Sequence, residues 1–202
     1  MSLDLTHAAF NGDLDRVRSL VESGADVNAA DEHGAGTLLT FHPGVTAYLL
    51  SKGADPNIQT NEFGVSVLAG LCYVNQVECV KVLCQHGADP NRGRTESLET
   101  PLHHGLAGAG ETELIQLLID HGADVNAKTE PGVSSFNFFG ETPTRGETPL
   151  HRAAAYASIE VVELLLRARA DRAICDVNGD SPHRWAGWHR RPKELVELLR
   201  PA

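Results

Sequence analysis

The sequence predicts an all-α chain: a solenoid of helix-turn-helix units joined by short β-turn or hairpin loops. Three observations carry this. A phrase recurs as GADVN at 24–28, GADPN at 53–57 and 87–91, and GADVN at 122–126, with a degenerate copy RADRA at 169–173. The successive spacings are 29, 34, 35 and 47 residues. Residues 146–169, GETPLHRAAAYASIEVVELLLRAR, read as one whole unit. In it a short helix starts at Pro149, whose missing amide costs nothing in a first helical turn, with Thr148 as its cap. After a break at Ala157 and Ser158 comes a second helix whose apolar face, Val161, Val162, Leu164, Leu165 and Leu166, is too wide for a lone surface helix and requires neighbours. Finally, the same 19-residue distance separates Leu5 from Gly24, Leu68 from Gly87 and Leu150 from Arg169.

The TPLHxAA and GADVN phrases, on a period near 33 with a β-turn and two helices, resemble the ankyrin repeat family. The resemblance runs over nearly the whole chain. It implies one ankyrin repeat domain over residues 1–202, with approximate repeats 2–31, 32–60, 61–94, 95–128, 146–176 and 177–202 and an insertion loop at 129–145. Each Gly of the recurring phrase follows a helix, as a left-handed C-terminal cap does, and the Asp and Asn after it favour a turn.

Repeat 1 predicts helices over 5–11 and 14–23, broken by Gly12 and Asp13; its polar outer positions suit a terminal unit. Repeat 2 is four residues short between Leu38 and Gly53, so its first helix shrinks to about one turn while Leu49 and Leu50 keep the second helix packed. Repeat 3 replaces TPLH by SVLA, keeps Leu68 for the core, and predicts helices over 67–73 and 77–86. In repeat 4 the full TPLH returns at 100–103; Gly108 and Gly110 belong to the turn, and Thr112 is the expected cap of the second helix. The extra segment before repeat 5 reads KTEPGVSSFNFFGETPTR and holds three of the six Phe of the chain. Loops of that length without structure of their own are uncommon in compact domains and usually carry function or are disordered. Repeat 6 has His183 where repeat 5 has Leu150, then a one-sided amphipathic helix in which Lys193, Glu194, Glu197 and Arg200 alternate with Leu195, Val196, Leu198 and Leu199. Together these expectations give six helix pairs.

Net charge is −10, which argues against general attraction to nucleic acid or an anionic membrane. The charge is uneven: residues 1–101 hold 13 Asp and Glu against 6 Lys and Arg, whereas residues 167–202 hold 5 against 8. Cys72, Cys79, Cys84 and Cys175 include no CxxC pair and read as free thiols of a reducing compartment. With no leader-like N-terminus and no membrane-spanning run, the expectation is a cytoplasmic monomer.

Ten histidines invite a metal or an enzyme. His103 and His151 fill the TPLH position, where the resemblance implies hydrogen bonding within and between turns. His86 and His121 precede the Gly caps, where a cation is favoured. The adjacent pair His103 and His104 cannot share a helix face, since neighbours lie about 100° apart. No GxSxG, Walker loop or HExxH is present. Neither a catalytic residue nor a cofactor or metal site is assigned.

In ankyrin repeats the concave face is lined by turn tips and the outward side of each first helix. Carried over residue by residue, that face holds His7, Phe10 and Asn11; Tyr73 and Val74; His104; Arg152 and Tyr156; and Trp185, Trp188 and His189. Phe136, Phe138 and Phe139 of the insertion join it as candidates. Tyr, Trp and Arg dominate interface energetics because they bury much area at little rotamer cost. The reading is a non-enzymatic module that binds a protein or peptide through Phe10, Tyr73, His104, Arg152, Tyr156, Trp185, Trp188 and the three insertion Phe. The alternative is a small-ligand protein or enzyme in which the insertion closes as a lid over His104, Glu141, Glu147 and Arg152.

Overall fold

The computed structural model describes residues 2–31, 34, 36–60, 64–108, 110–135 and 143–201. Among them are eleven helices: α1 (Ser2–Phe10), α2 (Leu14–Glu22), α3 (Pro43–Ser51), α4 (Val67–Tyr73), α5 (Val77–Gln85), α6 (Pro101–Ala107), α7 (Thr112–Asp120), α8 (Pro149–Tyr156), α9 (Ile159–Arg167), α10 (Pro182–Trp188) and α11 (Lys193–Leu198). First helices stack on first helices, α4 on α6 on α8 on α10, and second helices on second helices, α3 on α5 on α7 on α9. The result is an all-α solenoid two helix rows thick. Its one described sheet is a hairpin of two-residue strands, β1 (Gln59–Thr60) and β2 (Val65–Ser66), antiparallel with Gln59 opposite Ser66.

The core follows the repeat register. Leu5, Leu68, Leu102 and Leu150 are all buried, as are Val80 and Leu83 of α5, Ile115 and Leu118 of α7, and Val162 and Leu165 of α9. All belong to one apolar cluster that runs from Leu5 to Leu199. Each such side chain stabilises the array by about 1.5–3 kcal/mol through burial, and each does so only because the next repeat covers it. Cys72, Cys79 and Cys84 are buried and free, and Cys175 is exposed and free.

Two expectations need correction. Repeat 2 has no first helix among the described residues: Thr37 and Leu38 form a turn, and α3 is its only helix. The deletion leaves too few residues for even one hydrogen-bonded helical turn, and threonine hydroxyls take over. Thr37 Oγ1 donates to the Val27 carbonyl, and Thr40 Oγ1 donates to the Ala9 carbonyl at 2.6 Å. Leu38 still plugs the core. In repeat 4, Thr112 is the first residue of α7, not its cap, which is Glu111. Gly108 ends α6, and a Cβ there would lie 2.1 Å from the Tyr73 carbonyl oxygen. Its missing side chain lets the ends of α4 and α6 meet backbone to backbone.

The recurring phrase proves to be a stitch. Asn28 accepts from the Asp55 amide at 2.7 Å and donates to the Gly53 carbonyl at 3.2 Å. Asn57 does the same with Asp89 and Gly87, Asn91 with Asp124 and Gly122, and Asn126 with Asp171 and Arg169. The intervening Asp accepts from the amide two residues on, which orients each Asn. Because these bonds join backbone of the next repeat, the outer edge keeps its geometry whatever lies between the phrases, including the insertion.

Candidate functional site

The first helices of repeats 4 and 5 start alike. Thr100 and Thr148 cap them, with Pro101 and Pro149 following, and each motif His closes a capping box. The Thr100 amide donates to His103 Nδ1 at 3.2 Å, and the Thr148 amide donates to His151 Nδ1 at 3.1 Å. The proton thus sits on Nε2, which donates across to the next repeat: His103 to the Glu147 carbonyl, His151 to the Asp180 carbonyl at 3.0 Å. Burial holds His103 down to about 3 and His104 to about 4, so both rings are neutral in the fold.

Between repeats 4 and 5 the insertion returns as a short stem. Ser134 and Pro143 form an antiparallel bridge, the Gly132 amide donates to the Thr144 carbonyl at 2.8 Å, and the Thr144 amide donates to the Val133 carbonyl at 2.9 Å. An ionic cluster fixes the stem to the array. Arg152 Nη2 lies 2.7 Å from Glu99 Oε1 and 2.6 Å from Glu147 Oε1, with all three side chains at most 5% exposed. Glu99 also accepts from the Ser97 and Ser135 hydroxyls, and Glu147 from the Thr129 hydroxyl and the Arg145 amide. Arg94 donates to the Ser134 carbonyl. Burial by itself would raise both carboxyls; the Arg152 guanidinium and these donors outweigh it and hold Glu99 and Glu147 at about 2.

Above this cluster lies a cavity of about 260 Å³. Its floor is Glu147 and Arg152, its insertion side Ser135, Pro143, Thr144 and Arg145, and its repeat side Tyr156, Trp185, Trp188 and His189. Rings order the repeat side: Tyr156 meets His189 edge-on at 4.8 Å, and Trp185 meets His151 edge-on at 5.3 Å. Trp185 Nε1 donates to Asp176 at 3.2 Å, and Arg184 lies over Trp188 at 6.0 Å.

Of the sequence candidates, Arg152, Tyr156, Trp185 and Trp188 therefore converge. His104 and Arg152 were expected on the surface and are buried, at 0% and 2% exposure. Arg152 turns inward because two buried carboxylates, Glu99 and Glu147, pair with it there, and His104 because α6 packs between α4 and α8. Phe10 and Tyr73 are exposed but do not line the cavity; Phe10 instead lies beside Phe41, with ring centroids 5.7 Å apart and the rings tilted by 58°. Phe136, Phe138 and Phe139 lie outside the described residues, as does Glu141; the segment that holds them runs between Ser135 and Pro143, both at the cavity. Glu99, Arg94, Ser135 and Arg145 were not singled out by sequence. One signal existed for Glu99: Glu precedes TPLH in both repeats, as Glu99 and as Glu147. Among the described residues no group of three or more His, Cys, Asp or Glu is placed to hold a metal ion. No helix of the described residues is long and apolar enough to cross a membrane.

Family models described as "Ankyrin repeats (3 copies)", "Ankyrin repeats (many copies)" and "Ankyrin repeat" match residues 39–129, 104–166 and 5–32. Palmitoyltransferase ZDHHC13 of Homo sapiens is 28% identical across 89% of this chain and 32% of its own length. Ankyrin repeat and SOCS box protein 16 of Homo sapiens is 30% identical across 88% of this chain and 46% of its own. The chain thus spans about a third to under a half of these relatives. A chain in the solved complex of the predatory endopeptidase Bd0816 from Bdellovibrio bacteriovorus with immunity protein Bd3460 superimposes with a TM-score of 0.78 over 98% of both chains, at 20% identity. At that identity the likeness is one of fold.

Proposed function

The chain belongs to the ankyrin repeat family, and on that premise we propose that it is a non-enzymatic module binding a protein or peptide through the concave face of the array. The cavity between the insertion stem and helices α8 and α10 is the centre of that interface. The observation that carries this reading is the exposure of Tyr156 and Trp188, 41% and 52%, beside a stem hydrogen-bonded through Ser135 to the buried Glu99 of the ion-pair cluster and through its Ser134 carbonyl to Arg94. Large aromatic rings left in water next to a fixed wall are what an interface hot spot needs, because the free protein already holds the bound geometry. Phe136, Phe138 and Phe139, which lie in sequence between the two cavity-lining residues Ser135 and Pro143, are further candidate contacts, and Phe10 and Tyr73 supply outlying contacts towards the other end. That a chain of this fold occurs in a complex between two proteins supports a protein partner.

Two groups of the lid-and-enzyme alternative are already committed elsewhere. His104 is buried beneath the surface, and both Glu147 oxygens already accept hydrogen bonds. Neither is a poised acid or base.

Affinity capture from source cells with the full chain as bait, followed by mass spectrometry, tests the proposal. Trp188→Ala and a replacement of residues 136–142 by a short Gly-Ser turn are expected to lose the captured partner, while Phe10→Ala retains most of it. Removing the stem as well is a poor test, since Ser134 and Ser135 satisfy Arg94 and Glu99. Capture that survives both changes moves the interface to another face.

A further inference from the structure

The lining of the cavity carries two cations, Arg145 and Arg152, against one carboxylate, Glu147. The whole chain is at −10, yet residues 167–202 carry a basic excess. At the cavity every described carboxylate is already engaged. Glu147 Oε1 accepts from Arg152, and its Oε2 from Thr129 and the Arg145 amide. Asp176 accepts from Trp185 and from the backbone of Asn178, and Asp180 pairs with Arg184 at 3.1 Å. Arg145, by contrast, is exposed and makes no ion pair among the described residues. Its charge and that of Arg191 both reach His189, whose pKa desolvation and these two cations lower from its ordinary value. An aromatic cage for a cationic group needs electron-rich faces free of competing cations; here Arg184 already covers Trp188, and Arg145 stands at the rim. The size is equally selective. About 260 Å³ falls below the roughly 300–1,000 Å³ of small-molecule sites and suits a single side chain.

Building on the interaction reading above, we infer that the cavity docks an acidic segment of the partner, taking one aliphatic or aromatic side chain between Tyr156, Trp185 and Trp188 while flanking carboxylates pair with Arg145. The acidic N-terminal half repels such a segment and the basic C-terminal end attracts it, so charge also sets the direction in which the partner lies along the array.

The test uses the full chain and three labelled peptides of equal length: Phe flanked by Asp and Glu, by Ser and Gly, or by Lys and Arg. Trp185 and Trp188 are the two Trp of the chain, so intrinsic Trp emission reports this site alone. The acidic peptide is expected to shift that emission and to bind at least about tenfold more tightly than the neutral one, an advantage that shrinks with added salt. Arg145→Gln should remove most of the advantage, and Arg145→Glu should reverse it, while Arg18→Glu at the opposite end changes nothing. Equal affinity for the three peptides, preference for the basic one, no binding of any, or indifference to Arg145 overturns the inference. Partner capture that depends on Trp188 but not on Arg145 leaves the interaction reading standing and removes only this one.

Discussion

Repeats 2 and 5 carry the same outer stitch and differ on the inside. Asn28 ties repeat 1 to the Gly53 cap of repeat 2, just as Asn126 ties repeat 4 to the Arg169 position of repeat 5. Repeat 5 then presents a capped eight-residue helix whose Arg152 neutralises two buried carboxylates, whereas repeat 2 reaches α3 through a turn held by Thr37 and Thr40. The stitch tolerates both a lost helix and an inserted loop because it contacts only the backbone beside each cap. What a repeat does on its inner side is thus free to diverge, towards economy in repeat 2 and towards a built surface in repeat 5.

Arg152→Ala should sharpen the contrast most. It strands Glu99 and Glu147 without a counterion and is expected to cost about 3–5 kcal/mol in urea unfolding. Glu99→Gln in the same chain should recover part of that. A loss below about 1 kcal/mol would mean that water replaces the guanidinium, and that the cluster does not hold the stem.

Acid probes the same cluster. His103 and His104 have folded values depressed to about 3 and 4 from an ordinary 6.5, so the unfolded chain takes their protons first and stability begins to fall as pH drops below about 6.5. Glu99 and Glu147, depressed to about 2 from 4.5, contribute fully above 4.5, and that contribution is lost as pH falls towards 2. Both shifts act in one direction. A pH series of thermal unfolding should decline steadily through this window, and the cost of Arg152→Ala should shrink at its acid end. Stability flat from pH 7 to about 4 would contradict the burial of both histidines.

Hydrogen exchange compares the two regions directly. Amides of residues 30–75 should exchange through local opening at roughly 1–2 kcal/mol less than those of residues 146–168, since a repeat without a first helix offers less to its neighbours. Uniform protection would show that the threonine-pinned turn is as good as a helix.

Asn57→Ala and Asn126→Ala test whether the edge is truly uniform. Each removes a donor and an acceptor from an exposed stitch, and each should cost about 1–2 kcal/mol in urea unfolding. Unequal costs would mean that the insertion changes the stitch beside it.

The smallest effect concerns Arg169, which holds φ +69° where the other copies have Gly. Arg169→Gly should raise stability by about 0.5–1 kcal/mol by relieving a left-handed conformation, with no change at repeat 2.

Much of this was decided within single repeats. The bounds of α4 and α8, the Thr148 cap and the buried row Leu5, Leu68 and Leu150 follow from spacing, capping chemistry and helical period, all of which act over a few residues. That Tyr156 meets His189, and that Arg152 and Trp185 border one cavity, was legible too, because equivalent positions of stacked repeats must neighbour one another. Sequence could not tell that Arg152 and His104 face inward. Arg152 has the composition of an interface anchor, and its burial depends on Glu99, 53 residues away, which only the stacking of repeat 5 on repeat 4 brings within 2.7 Å. A period along the chain fixes which face of a helix is covered by apolar neighbours; whether a charged side chain goes to water or to a buried counterion depends on which charges the fold places opposite it, and that is settled only when the repeats are packed.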